Sequence, residues 1–141
     1  MYLGIKSLYG TVIFASSLTL ISCKKDDPNT GQLPSIVWKS GGVYTNRDTT
    51  VSKGTLVTLG VNATKGSAND PLTLLQLKRS FDGGSDSVIL SVNLSGNMGD
   101  ATTLDYPVAT RSVAGSERYT FWITDKYGLN NQVSLVITTK Q

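Results

Sequence analysis

The residue best equipped for covalent chemistry in this 141-residue chain is Cys23, its one cysteine. A thiolate is a far better nucleophile than a hydroxyl near neutral pH. Its neighbours are an apolar run ending in Leu20-Ile21-Ser22 and the four charges Lys24-Lys25-Asp26-Asp27. The chain has no histidine, so the commonest general base and the commonest transition-metal ligand are both missing. No G-x-S-x-G elbow occurs, and a serine triad cannot be built without an imidazole. No phosphate-binding glycine loop precedes a helical stretch. Asp82, Asp86, Asp100, Asp105 and Asp125 carry oxygens suited to calcium, but they lack EF-hand spacing and sit where Asp and Gly ordinarily make turns. No metal, no cofactor and no enzymatic activity are therefore expected.

The segment that positions Cys23 reads as an export leader. Lys6 supplies a positive n-region, and Leu8 to Ile21 supply an apolar stretch too short for a permanent membrane span. Leu20-Ile21-Ser22-Cys23 resembles the lipobox of bacterial lipoproteins. That resemblance implies cleavage between Ser22 and Cys23, after residues 1–22, and acylation of the Cys23 sulfur. Lys25, Asp26 and Asp27, directly behind it, resemble the export signal of Bacteroidota-type surface lipoproteins. The expected location is the outer membrane, lipid-anchored and facing the cell exterior. Each buried acyl methylene contributes about 0.8 kcal/mol, so two or three chains hold stably where one holds marginally.

Composition narrows the partners. Thirteen basic and ten acidic residues give a formal charge of +3, and Lys6 leaves with the leader. Beyond Lys24-Lys25 and Lys78-Arg79 there is no basic cluster, so nucleic acid is not an expected partner. With Cys23 committed to lipid no disulfide can form, and the domain must stand on its own apolar core. A monomer is expected, with the membrane, through lipid, and a protein or glycan as partners.

Behind Cys23, residues 23–34 are polar with two prolines and a glycine and read as a flexible tether. From 35 to 141 the chain changes to short β-rich runs. Thr55 to Ala63 alternates, with Val57, Leu59, Val61 and Ala63 on one face. Tyr119, Phe121 and Ile123 alternate against Thr120, Trp122 and Thr124, and Val133, Leu135 and Ile137 share a face. Val88, Leu90 and Val92 are expected together on one side. Asp82-Gly83-Gly84-Ser85 reads as a hairpin turn, and Pro107 places its strand at an edge or beside a break. A loop is expected around Gly96 and Gly99. Leu72 to Phe81 reads as a strand, with a short helix as the alternative.

Seven or eight such strands in one domain fit an all-β, Ig-like antiparallel sandwich. "AGSERYTFWITDKYG" (114–128) and "DTTVSKGTLVTL" (48–59) resemble the strand signatures of bacterial Ig-like, PKD and cadherin-like modules. In such domains a tyrosine placed like Tyr119 buries its ring and ties its hydroxyl to the backbone. Trp122 is expected to face out or lie on the sheet's second face and Trp38, Tyr44 and Tyr127 to be at least partly exposed, which makes these four the candidates for stacking on sugar. Asp48-Thr49-Thr50 and Asp86-Ser87-Val88 resemble the O-glycosylation motif of Bacteroidota-type exported proteins, which makes Thr49 and Ser87 the acceptors. The expected function is a noncatalytic binding or adhesion module on the cell surface. The alternatives are an accessory subunit docking on an outer-membrane assembly and a glycan-binding accessory protein.

Overall fold

The computed structural model describes residues 31–141. Eight strands and one helical turn make two packed sheets. The strands are β1 (Ser35–Trp38), β2 (Thr49–Ser52), β3 (Leu56–Thr64), β4 (Leu72–Phe81), β5 (Ser87–Asn93), β6 (Ala101–Ala109), β7 (Gly115–Asp125) and β8 (Asn130–Lys140). The helical turn α1 (Asn97–Asp100) lies between β5 and β6. One sheet has the order β1-β3-β6 and the other β2-β8-β7-β4-β5. All pairings are antiparallel except β2 with β8. The three-stranded and five-stranded sheets thus form an all-β sandwich.

The alternating faces meet between the sheets. Val57, Leu59, Val61 and Ala63 from β3 pack with Leu75 and Leu77 from β4, Tyr119, Phe121 and Ile123 from β7, and Leu135 and Ile137 from β8. Each such aliphatic or aromatic side chain contributes about 1.5–3 kcal/mol when fully buried. Leu72 to Phe81 is a strand throughout, because β5 and β7 flank it and its inward residues close the core. Pro107 lies on β6, which pairs only with β3 and is the edge of its sheet. A missing N–H costs least there.

Two local expectations need correction. Val88, Leu90 and Val92 do not share a face. The β4–β5 register shifts at Leu77/Lys78, so Leu90 stands opposite Leu77 but Val88 opposite Lys78. The extra residue, Ile89, forms a bulge, and Val88 is left 51% exposed while Ile89, Leu90 and Val92 pack against the core. The segment around Gly96 and Gly99 is not simply a loop but closes one helical turn. A Cβ on Gly99 would stand 3.2 Å from the Leu72 carbonyl oxygen, so the turn sits directly on the start of β4.

At the hairpin between β4 and β5, Asp82 (φ 51°) and Gly83 (φ 76°) both take left-handed backbone, the geometry that suits tight hairpins. Residues 31–34, the last part of the predicted tether, lie against the body. Pro34 is buried and its carbonyl accepts a hydrogen bond from Asn131 Nδ2 at 3.0 Å.

Candidate functional site

The widest surface of the domain is the outer face of the five-stranded sheet. Register brings four side chains into one cross-strand row: Ser91 on β5 opposite Gln76 on β4, Gln76 opposite Trp122 on β7, and Trp122 opposite Gln132 on β8. The adjacent row holds Val88, Lys78, Thr120 and Ser134. The next row on the other side holds Asn93, Leu74, Thr124 and Asn130. The indole Nε1 of Trp122 donates to Thr124 Oγ1 at 3.2 Å, which fixes the ring on the sheet. Lys78 Nζ lies 4.0 Å from the centre of that ring. Thr120 and Ser134 hydroxyls bond each other at 2.8 Å. The face is mixed, with Leu74, Val88 and Trp122 among polar side chains and Lys78 as the charge in these rows.

The four aromatics singled out from the sequence are not brought together on one surface. Trp38 turns inward and packs edge-on against Phe121, with centroids 5.5 Å apart. Tyr44 lies on the opposite outer face, over Gly60, where a Cβ would come within 2.7 Å of its ring. Its hydroxyl donates to Asp105 Oδ2 at 3.0 Å, and Lys39 Nζ bonds Asp105 Oδ1 at 2.5 Å. The Lys39 ammonium holds the Asp105 carboxyl below the usual carboxylate range, and the same contact raises Lys39. Tyr127 stands exposed in the β7–β8 turn. Trp122 alone occupies the broad face. A polar hollow of about 210 Å³ beside Tyr44 is lined by Thr45, Asn46, Arg47 and Thr49.

The aspartates are dispersed and otherwise engaged. Asp82 pairs with Arg111 at 2.6 Å, Asp86 with Arg118 at 2.9 Å and Asp100 with Lys65 at 2.5 Å. The Arg111 and Arg118 guanidiniums lower the Asp82 and Asp86 carboxyls. Asp125 is buried and its Oδ1 accepts the backbone N–H groups of Tyr127 and Leu129, which shapes the turn. Of the two glycosylation candidates, Thr49 opens β2 half-buried, and Asp48 before it accepts the Val136 N–H at 2.8 Å. Ser87 opens β5 and is exposed.

Tyr119 buries its ring as expected, but its hydroxyl goes to a side chain and not to the backbone. It donates to Glu117 Oε2 at 2.5 Å, and Glu117 Oε1 accepts the Arg111 backbone N–H at 2.5 Å. Tyr119 and Glu117 are both fully buried. Burial, and then the Glu117 carboxylate, push the phenol well above its ordinary value. The backbone contact of a tyrosine corner is thus made through an intervening carboxylate.

Sequence reasoning missed Gln76, Lys78, Gln132 and Glu117. For Glu117 a signal existed, since it shares the parity of Tyr119 and Phe121. For the other three none did, because their adjacency to Trp122 is a matter of register. Ser22, Cys23, Lys25, Asp26 and Asp27, with the leader 1–22, lie outside the described residues.

No protein-family model matches the chain, and no curated protein matches it. Among solved structures it is similar to superoxide reductase (neelaredoxin) from Ignicoccus hospitalis, at 9% identity and TM-score 0.46, over 78% of this chain and 82% of that one. A β-glucosidase from Listeria innocua in complex with gluconolactone matches at 9% identity and TM-score 0.49, over 78% of this chain and 16% of that one. Spo0M, a sporulation control protein from Bacillus subtilis, matches at 11% identity and TM-score 0.43, over 79% of this chain and 50% of that one. At these scores the likeness carries no argument about activity.

Proposed function

We propose that this chain is a lipid-anchored protein of the outer cell surface and that its sandwich is a noncatalytic module that binds a partner protein. The lipobox-like Leu20-Ile21-Ser22-Cys23 and the charges behind it support the anchor. The observation that supports binding is the free edge of β5. Edge strands invite pairing with another chain, and proteins usually blunt them with charges, proline or shortness. Among the described edges, β1 and β2 have four residues each, and β6 carries Asp105 and Pro107. β5, Ser87-Val-Ile-Leu-Ser-Val-Asn93, has seven residues with no charge and no proline. Only its bulge at Ile89 interrupts it, and Leu90 to Asn93 run regularly beyond.

The direction of its hydrogen bonds follows from one contact. The Leu94 N–H reaches the Thr73 carbonyl at 2.9 Å, and antiparallel partners alternate between bonded and non-bonded pairs. Leu90 and Val92 therefore bond β4, while Ser91 and Asn93 turn their N–H and C=O groups outward. An extended segment laid along Leu90–Asn93 would continue the sheet by strand addition. The same edge serves an adhesion partner or a subunit of an envelope assembly. Which of the two it is depends on the partner's source.

Ser91→Pro tests this reading cleanly, because it removes an outward donor and no bond to β4. A photo-crosslinking residue at Val88 on intact cells is expected to give a protein adduct that Ser91→Pro abolishes, while the same residue at Ala101 on β6 gives none. Equal adducts at both edges, or adducts indifferent to Ser91→Pro, would sink the strand-addition reading. Mass spectrometry showing an unmodified Cys23 thiol would sink the anchor.

A further inference from the structure

The outer face of the five-stranded sheet points to a second ligand, distinct in place and chemistry from the β5 edge. We infer that the row Gln76–Trp122–Gln132, with Lys78 beside it, binds an acidic saccharide. The argument starts from the indole. Trp122 is half-buried and tied through Nε1 to Thr124, so it offers an aromatic face that loses little freedom on binding. The C–H face of a pyranose ring covers such a surface. On either side, one strand spacing away, stands a glutamine: Gln76 on β4 and Gln132 on β7's other neighbour, β8. Each carboxamide presents an acceptor and two donors side by side, the complement of neighbouring sugar hydroxyls. From Gln76 to Gln132 the row spans two strand spacings, about 10 Å. That suits a short oligosaccharide lying across the strands.

Charge selects among sugars. The titratable groups on this face are Lys78 and Arg118, with the Asp86 carboxylate directly before β5 close enough to feel both. Arg118 is paired with Asp86, whereas among the described residues no carboxylate forms a salt bridge with Lys78. Its ammonium rests on the Trp122 ring at 4.0 Å. A cation–π contact at an open site is weak, so a stacking sugar displaces the ammonium readily. The displaced cation then stands at the edge of the ligand with Asp86 nearby but no carboxylate in contact, and a carboxylate or sulfate on the sugar satisfies it. A nucleic acid would need several such cations along its phosphates, and this face offers one.

Full-length protein in detergent, titrated with oligogalacturonate, a sulfated chondroitin oligosaccharide and neutral cellohexaose, tests the inference by calorimetry. Binding of one or both acidic probes, weakened about tenfold or more in Trp122→Ala and retained in Trp122→Phe, supports it, tenfold being about 1.4 kcal/mol. Lys78→Gln is expected to erase both the preference for acidic over neutral probe and the salt dependence, with melting temperature unchanged. Gln132→Ala, on an exposed side chain, is expected to weaken binding several-fold without unfolding risk. Binding of cellohexaose as tight as of the acidic probes, acidic binding untouched by Trp122→Ala, Gln132→Ala and Lys78→Gln alike, or no binding of any probe overturns it. None of these outcomes touches the β5 edge, whose own variant is Ser91→Pro.

Discussion

Tyr119→Phe removes a single hydroxyl from the middle of the sandwich, and the structure sets what that should cost. The ring is fully buried and stays in place, so apolar burial is conserved. What disappears is the bond to Glu117 Oε2, leaving one oxygen of a fully buried carboxylate without a partner while the other still accepts the Arg111 N–H. A hydrogen bond to a charged group contributes about 1.5–3 kcal/mol, and an orphaned charged acceptor sits at the upper end. The expected loss is roughly 2–3 kcal/mol, a lowering of the melting temperature of about 8–12 °C for a domain near 100 residues. Urea unfolding at pH 7 measures it, with the slope unchanged if only native stability has moved. Glu117→Gln, which keeps an acceptor for Arg111 and a polar group for the phenol, is expected to lose less.

The pH dependence gives a second reading of the same bond. The folded phenol titrates above its unfolded value near 10, first through burial and then through Glu117. Its stabilising contribution is therefore complete below pH 10 and is lost as pH rises toward the folded pKa. Wild type should weaken above pH 10 while the phenylalanine variant, lacking the group, does not, and the two should converge. A Tyr119→Phe protein within about 0.5 kcal/mol of wild type at pH 7 would refute the reasoning.

Gly66→Ala is expected to lose at least about 2 kcal/mol by thermal melting, because its Cβ would stand 2.0 Å from the Gln32 backbone oxygen. An unchanged melting temperature would show that residues 31–34 do not hold their place. In acid, the lowered carboxyls of Asp82, Asp86 and Asp105 reverse the sign of the tyrosine case. Their contribution is present above the unfolded value near 4 and fades as pH falls through the folded pKa values. Denaturation curves from pH 5 to 2 should show this loss, smaller at high salt because the groups are exposed. A loss of the same size at both salt levels would argue against the ion pairs. Cys23→Ala should leave an uncleaved, unacylated precursor, and replacing Lys25, Asp26 and Asp27 by alanine should abolish protease accessibility on intact cells.

The sequence by itself determined the class of the molecule. Period-two runs such as Val57 to Ala63 and Tyr119 to Ile123 settle which side chains face inward, because a strand's pleat sends neighbours to opposite faces. Turn residues such as Asp82-Gly83 mark where strands reverse, and Pro107 marks an edge. Those are properties of a single strand and its ends. Which strands become neighbours, and in what register, is decided when two sheets close on one core, and no local run contains it. So Trp38, read as at least partly exposed, is half-buried with its ring edge-on to Phe121, and Val88 was turned outward by a bulge against Lys78. The partners of Trp122 came from β4 and β8, where Gln76 and Gln132 looked like any solvent-facing residues. Only packing of the whole sandwich could set them beside the indole, lay the Lys78 ammonium over its ring, and seal Glu117 beneath Tyr119.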